Sequence, residues 1–186
     1  YIDYHNRYML LFERKAFKNL EELAQPELRL AGLRIDPQTH APSRIRYFYG
    51  VQLIDLSTGK EVTLKNIPDS LNIANVSFSP DSRKLAFTNT VGRNISLWII
   101  ELETGMARMI YHQRLNACMG APYQWTPDSE SLLVSVVPEN LPPISESKPL
   151  PEGPFVQETR GEIAALRTYQ DLLKNPYDEK LFEYYV

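Results

Sequence analysis

The stretch FSPDSRKLAFTN, residues 78–89, recurs as WTPDSESLLVSV at residues 125–136. Each copy runs from an aromatic residue through a hydroxyl residue, Pro, Asp and Ser to an apolar run. Pro presets φ at the second position of a turn, and the Asp and Ser side chains can hydrogen-bond their own backbone as the chain reverses. Because the turn is too polar to bury and its flanks are too apolar to expose, each copy predicts a β-hairpin.

A second phrase repeats in step with the first. LIDLSTGKEVTL, residues 53–64, matches IIELETGMARMI, residues 99–110, at an offset of 46 positions, against 47 for the first phrase. Thr-Gly closes each of these hairpins, with Gly59 and Gly105 supplying a positive φ at no steric cost. The second copy therefore predicts four antiparallel strands, at residues 73–79, 84–89, 95–102 and 107–111. Four such strands at this period are typical of one β-propeller blade.

A weaker third copy lies near the N-terminus. Aligning MLL at residues 9–11 with LAF at residues 85–87 gives an offset of 76, thirty more than the repeat. This difference predicts an insertion, at about residues 17–42, between the second and third strands of the first blade. The pattern favours an all-β partial propeller of about two to three four-stranded blades over a plain antiparallel sandwich. Since a ring needs roughly four to eight blades, we expect a piece of a longer protein that begins and ends inside blades.

The C-terminal part of the chain follows a different pattern. Six prolines between residues 138 and 154 predict an extended segment at 138–156, which we interpret as a linker. The propeller part would then span residues 1–137, and residues 157–186 would form a helical insertion of the next blade. Thr159 and Glu162 form a capping box for a first helix. Asn175 and Pro176 end it and begin a second helix.

Composition limits the class of partner. The chain is 43% hydrophobic and 23% charged, with a formal net charge of −3. This mild acidity favours neither nucleic acid nor an anionic membrane, and no apolar run approaches the roughly 18 residues of a membrane span. The first residues lack both a starting Met and the features of a signal peptide, so we expect the natural N-terminus upstream. Cys118 is the single cysteine, which excludes an internal disulfide and leaves the compartment undecided.

The sequence shows no self-contained catalytic motif. No two glycines have the spacing of a G-x-S-x-G nucleophile elbow, and there is no Gly-rich phosphate loop. His5, His40 and His112 are scattered, and with a single cysteine they predict neither a metal site nor a cofactor. A basic, aromatic cluster at residues 25–50 does stand out. Its members are Arg29, Arg34, Arg44, Arg46, Tyr47, Phe48 and Tyr49. Guanidinium groups bind carboxylates bidentately, so these arginines either pair internally, with Glu27, Asp36 and neighbouring blades, or bind an acidic ligand.

Three segments resemble the glutamyl endopeptidases, a branch of the prolyl oligopeptidase family of serine peptidases known from bacteria and plant chloroplasts. They are ELAQPELRLAGLRIDPQTHAPSRIRYFYG at residues 22–50, LRTYQDLLKNPYDEKLFEYYV at 166–186 and, less specifically, SPDSRKLAF at 79–87. The resemblance implies a seven-bladed N-terminal propeller that covers a C-terminal α/β-hydrolase domain, whose Ser-His-Asp triad cleaves peptides after Glu or Asp. No triad residue can be placed in this chain, so the resemblance assigns it no catalytic residue.

The resemblance also implies partners and a location. The propeller would restrict access to peptides and help to bind them, so peptide substrate and the hydrolase domain of the same polypeptide are the expected partners. A periplasmic, secreted or organellar location is favoured. Cleavage after an acidic residue needs a cation to receive the carboxylate, and we expect Arg34 or Arg44 to contribute it.

Two other functions fit the same repeats. A non-enzymatic propeller that scaffolds a complex would contain SPDSRKLAF equally well. A dipeptidyl-aminopeptidase branch of the same family would anchor the substrate amine on propeller carboxylates, which the arginine-rich insertion disfavours.

Overall fold

The computed structural model describes residues 1–17, 20–112, 114–142, 144, 161 and 172–186. The elements, in chain order, are β1 (Tyr8–Glu13), α1 (Leu20–Leu23), β2 (Leu28–Leu30), β3 (Leu33–Asp36), β4 (Ala41–Pro42), β5 (Gly50–Asp55), β6 (Lys60–Val62), β7 (Ile73–Phe78), β8 (Lys84–Val91), β9 (Asn94–Glu101), β10 (Met106–Tyr111), β11 (Tyr123–Trp125), β12 (Leu132–Val134) and α2 (Pro176–Tyr185).

The central feature is a four-stranded antiparallel sheet of order β10-β9-β8-β7. Its strands are the four predicted from the repeat, and no end differs from the prediction by more than two residues. Strand β8 contains six consecutive buried residues. A strand of this kind does not alternate between apolar and polar residues, because both faces of its sheet are covered.

The same pairing recurs in the neighbouring sheets. In the sheet of order β1-β5-β6, Leu10 pairs with Leu53, and in the central sheet Ala86 pairs with Ile99. These pairs are related by the sequence offsets of 76 and 46, so the two pairings occupy equivalent positions of the repeat. The insertion at about residues 17–42 stays a prediction. The hairpin of β11 and β12 reproduces the register of β7 and β8 at the offset of 47.

The three sheets pack face to face in sequence order. Leu85 and Phe87 of β8 pack against Leu10 and Leu53 of the first sheet. Ala86, on the opposite face of the same strand, packs in a second cluster with Tyr123 of β11. The central sheet thus buries both of its faces against its sequence neighbours, as propeller blades do and the sheets of a two-layer sandwich do not. The expected all-β class, with two to three blade-like sheets and a short C-terminal helix, is confirmed.

A side-chain hydroxyl closes each Pro-Asp-Ser turn. The Ser79 hydroxyl donates to Asp81 Oδ1 at 2.6 Å and accepts from the Lys84 N–H at 2.9 Å. Thr126 makes the same two contacts in the next copy, with Asp128 at 2.5 Å and with the N–H of Ser131 at 3.1 Å. The polar residues of the phrase therefore build a closed hydrogen-bonded turn, as expected.

The serine of each Pro-Asp-Ser turn has a hydrogen-bond partner other than the one predicted from the sequence. Ser82 and Ser129 have positive φ values of 55° and 63°, and their side chains are buried. The Ser82 hydroxyl accepts from the N–H of Tyr4, and the Ser129 hydroxyl accepts from the N–H of Asp81, at 3.1 and 3.0 Å. Each serine thus links its turn to the turn of the preceding sheet. The prediction that these hydroxyls bond their own turn is wrong, because the left-handed backbone directs them to the neighbouring sheet.

The insertion has its own small sheet, of order β2-β3-β4. Its residues Leu30 and Ile35 pack against Leu181 and Tyr185 of α2. Helix α2 begins as predicted: the Asn175 side chain caps it by accepting from the N–H of Asp178 at 2.9 Å, and a proline follows the cap. The predicted capping box at residues 159–162 and most of the proline-rich segment lie outside the described residues. The boundaries at residues 137 and 156 stay predictions.

Both Thr-Gly hairpins have the predicted glycine conformation, with φ at 67° for Gly59 and for Gly105. The two positions differ in their surroundings. Gly59 has open space where a Cβ would lie, whereas a Cβ on Gly105 would collide with the backbone carbonyl of Thr63, the residue that follows β6. The Gly105 carbonyl also accepts from the Lys65 N–H at 2.9 Å. The close approach at Gly105 therefore joins the first sheet to the central one.

The two glycines provide a matched test of the sheet contact. Gly59→Ala should lower the free energy of unfolding by about 1 kcal/mol, because only the positive φ is penalised. Gly105→Ala should cost a further ~1–3 kcal/mol because the methyl group also displaces the Thr63 backbone. Urea unfolding of both variants measures the difference. Equal losses would contradict the packing described here.

Candidate functional site

A cavity of about 620 Å³ lies where the two ends of the insertion meet. Strands β1 and β5 pair antiparallel, so that Glu13 lies opposite Gly50, and the Tyr49 N–H donates to the Glu13 carbonyl at 2.8 Å. The residues that follow β1 are therefore held beside those that precede β5. Arg14 and Lys15 line the cavity on the first side of this junction. The remaining charged residues that line it are Glu22, Glu27, Arg29, Arg44 and Arg46.

The lining of the cavity is basic. Five of its charged side chains are cations and two are carboxylates, which gives a net charge of +3 at neutral pH among the described residues. Phe17, Tyr47 and Tyr49 supply aromatic surface beside these charges. A cavity that combines several cations with aromatic rings is suited to an anionic organic ligand.

Glu27 organises the arginines of the cluster. Its Oε1 accepts from Arg29 Nε at 3.1 Å, from Arg34 Nη1 at 2.8 Å and from Arg44 Nη2 at 3.2 Å. Its Oε2 accepts from Arg44 Nε at 2.9 Å and from the Ser43 hydroxyl at 2.6 Å. Arg44 thus binds the carboxylate through two nitrogens, in the bidentate geometry that guanidinium groups favour. Three cations surround one anion, so the cluster keeps an excess of positive charge.

These contacts fix the charge of Glu27. The hydrogen bonds from Arg44 and Ser43, together with those from Arg34 and Arg29, hold the pKa of the Glu27 carboxyl far below its usual range, against the opposing effect of burial. The Glu27 side chain is 15% exposed, so water competes little for it. Glu27 is therefore ionised at neutral pH, and it positions the cations around it.

The structure brings together both arginines predicted to bind substrate. Arg34 and Arg44 contact the same carboxylate, so the internal pairing with Glu27 considered for the cluster is present. Their exposure differs, because the Arg34 side chain is 26% exposed and the Arg44 side chain is 64% exposed. Among the described residues, Arg44 lines the cavity and Arg34 does not. Arg44 is thus the one of the two that a ligand in the cavity can reach.

The other cations differ in how they are paired. Lys15 Nζ lies 3.3 Å from Glu22 Oε1 and 4.5 Å from the centre of the Tyr49 ring. Arg14 and Arg46 are exposed and make no hydrogen bond or ion pair with any residue that the structure describes. Sequence analysis missed Arg14 and Lys15, which lie outside residues 25–50. The signal was available, since pairing the strands that flank an insertion brings its two ends together.

The remaining reactive groups lie away from this cavity. His40 is buried against the rings of Tyr184 and Tyr185, and neither of its ring nitrogens has a partner in the described structure. Burial, helped by the charge of Arg114, lowers the pKa of His40 to about 4, and burial raises the pKa of Cys118 to about 12. Both are therefore neutral at pH 7 and form structural parts of the interface between the insertion and α2.

Within the described ranges, no group of three or more His, Cys, Asp or Glu side chains is placed to hold a metal ion. In the same part of the chain, no helix has both the length and the apolar character needed to cross a membrane.

Comparison with known proteins gives two curated relatives. The chain is 38% identical over 200 aligned positions to a probable chloroplastic glutamyl endopeptidase of Arabidopsis thaliana, which covers 97% of the chain. It is 34% identical over 192 positions to the corresponding protein of Oryza sativa subsp. japonica, which covers 95%. No family model matches the chain. The resemblance expected from the sequence is confirmed along nearly the whole chain, which spans about a fifth of the length of each relative.

Replacing Glu27 by Gln tests its role as the organiser of the arginines. At pH 7 the variant should lose about 1–2 kcal/mol of its free energy of unfolding, because three guanidinium groups, two of them more than half exposed to water, lose their shared anion. The lowered folded-state pKa of Glu27 makes its contribution to stability complete above the ordinary carboxyl value of 4.5 and smaller as the pH falls below it. The difference in the free energy of unfolding between wild type and variant should therefore become smaller as the pH falls.

The matched control is Glu21→Gln, which makes the same chemical change at an exposed position of α1. Urea unfolding at pH 7, 5 and 3 measures both variants. Two results would contradict the role given to this carboxylate. One is equal stability of wild type and Glu27→Gln at pH 7, and the other is a difference in their free energies of unfolding that stays constant down to pH 3.

Proposed function

We propose that this chain is part of a serine endopeptidase that cleaves peptides after Glu or Asp. The observation that carries the proposal is its 38% identity, along 97% of its length, to a probable glutamyl endopeptidase. The sequence has no nucleophile elbow, so the proposal places the catalytic Ser, His and Asp in a C-terminal α/β-hydrolase domain of the same polypeptide. There the Ser would attack the peptide carbonyl, the His would move the proton and backbone N–H groups would hold the oxyanion.

In this proposal the blades control access to the catalytic domain. Three sheets packed in sequence order support a propeller, which encloses a central channel when its ring is complete. A channel of this kind admits an extended peptide and excludes a folded protein. The turn-to-turn bonds of Ser82 and Ser129 favour a rigid wall, because each joins one sheet to the next.

The basic cavity supports a preference for acidic peptides. The lining of the cavity has a net positive charge, which complements a carboxylate. Arg44 is exposed to a ligand in the cavity. Arg34, bound to the same Glu27 carboxylate, adds positive charge nearby. The substrate amine of a dipeptidyl aminopeptidase would instead need carboxylates, and the two in this lining contact cations. The cavity therefore favours the endopeptidase over that branch of the family.

Peptide hydrolysis by the natural protein that carries this chain tests the proposed activity. A panel of blocked peptides that differ at one position, with Glu, Asp, Gln or Lys, should be cleaved after Glu and Asp. A fluorophosphonate, which reacts with activated serines, should label the protein and abolish cleavage. A protein that neither cleaves nor reacts would indicate a scaffold, and release of dipeptides from free N-termini alone would indicate a dipeptidyl aminopeptidase.

The arginines predicted from the sequence are tested by their replacement with Met in the same protein. Arg44→Met should lower the ratio of kcat/KM for Glu over Gln peptides about tenfold, which is the effect of losing about 1.4 kcal/mol of electrostatic attraction from the positive charge that lines the cavity. Arg34→Met should lower it less, since Arg34 does not line the cavity. Arg108→Met, an exposed position of β10 outside the cavity, is the control. Unchanged discrimination in both variants would eliminate these residues from substrate binding.

A further inference from the structure

We propose that Arg14 and Arg46 are specificity-determining residues that bind the acidic side chain of a peptide in the cavity at the base of the insertion. This inference rests on the proposed function for the identity of the ligand. It adds residues on both sides of the insertion to the arginines predicted from the sequence. The inference starts from a difference among the cations that line the cavity: some already have a carboxylate partner within the protein and others do not.

Most cations in the cavity already have a carboxylate partner. Arg29 and Arg44 bind Glu27, and Lys15 lies 3.3 Å from Glu22. A ligand that recruited these side chains would have to compete with a carboxylate that is already in place. Competition at Glu27 is especially unfavourable, because five hydrogen bonds from four side chains hold it.

Arg14 and Arg46 have no such competitor. Both line the cavity, both are exposed, and neither has a hydrogen-bonding or ionic partner among the described residues. Each guanidinium presents five N–H donors in a planar fork that matches a carboxylate. Their charges also repel those of the neighbouring cluster, and an incoming anion relieves that repulsion. A peptide carboxylate is therefore attracted to these two side chains first.

The Glu27 cluster acts as a positioning group for this site. Three guanidinium groups share one carboxylate, so the cluster contributes a fixed excess of positive charge without needing to contact the ligand. Arg29 and Arg44 of this cluster line the same cavity as Arg46, which is two residues beyond Arg44 in the sequence. The cluster raises the affinity for any anion, while Arg14 and Arg46 make the direct bonds.

The rest of the cavity suits a peptide better than a small inorganic anion. Its volume of about 620 Å³ lies in the range of sites that bind organic ligands. Phe17, Tyr47 and Tyr49 offer apolar surface for the methylene groups of an acidic side chain and for its neighbours. The pairing of β1 with β5 holds Arg14 near a fixed position, because it directly follows the last residue of β1. The geometry thus provides charge, apolar contact and a rigid base.

The test uses the natural protein that carries the chain and two labelled peptides. One contains Glu and the other Gln at the same position, and the following peptide bond is reduced so that it cannot be cleaved. Fluorescence anisotropy measures Kd for wild type, Arg14→Met, Arg46→Met and the double variant. Arg108→Met, exposed and outside the cavity, is the matched control.

We expect each single substitution to weaken binding of the Glu peptide about tenfold and the double substitution about a hundredfold, with little effect on the Gln peptide. Arg14→Lys and Arg46→Lys keep the charge but lose the planar fork, so they should fall between wild type and Met. Circular dichroism checks that each variant is folded. If a Met variant does not fold, the Kd values of the corresponding Lys variant for the Glu and Gln peptides are used for the same comparison.

The outcomes separate this inference from the proposed function. Loss of Glu-peptide binding in the Met variants, in a protein that cleaves no peptide, would support the site and refute the peptidase. Cleavage after Glu with unchanged Kd in the double variant would overturn the site and leave the peptidase standing. Equal loss for the Glu and Gln peptides, or displacement of the Glu peptide by inorganic phosphate at the same concentration as by a free acidic peptide, would also overturn it.

Discussion

The pairing of β1 with β5 supports both the fold and the candidate site. It is the first-sheet copy of the pairing between β8 and β9, and in the first sheet it spans the insertion. Because Glu13 lies opposite Gly50, the insertion leaves and re-enters the sheet at one place. The two ends of the insertion therefore lie beside each other, and residues from both ends line the cavity. If the pairing slipped by one residue, the core residues Leu10 and Leu53 would no longer lie on the same face of the sheet, and the junction would move as well.

Sheet packing and turn chemistry reinforce each other in this chain. The apolar clusters hold each sheet against its neighbours, but such contacts have little directional preference. The hydroxyls of Ser82 and Ser129 add direction, because each accepts one N–H from the preceding turn at a fixed distance. The contact of Gly105 with Thr63 adds a second fixed approach between the first and central sheets. The spacing between sheets is thus set by backbone geometry as well as by apolar burial.

The arginine cluster shows how a half-buried anion can position cations that attract another anion. Glu27 makes it possible for three guanidinium groups to lie close together, since without it their mutual repulsion would drive them apart. The resulting charge excess is carried by residues that are themselves satisfied. A ligand in the cavity would then bind most readily to the lining cations that have no carboxylate partner. Within the described residues these are Arg14 and Arg46, since Lys15 lies beside Glu22.

The sequence by itself determined the repeated hairpins, the strands of the central sheet and the start of α2. These features depend on turn residues, caps and apolar patterns that act over about ten neighbouring positions. Sequence reasoning also found the basic cluster, because Arg34 and Arg44 are close along the chain. Only the tertiary structure decided which arginines are already paired, and it added Arg14 from the other end of the insertion. Ion pairing depends on which distant side chains meet within a few ångströms, and no local pattern records that distance.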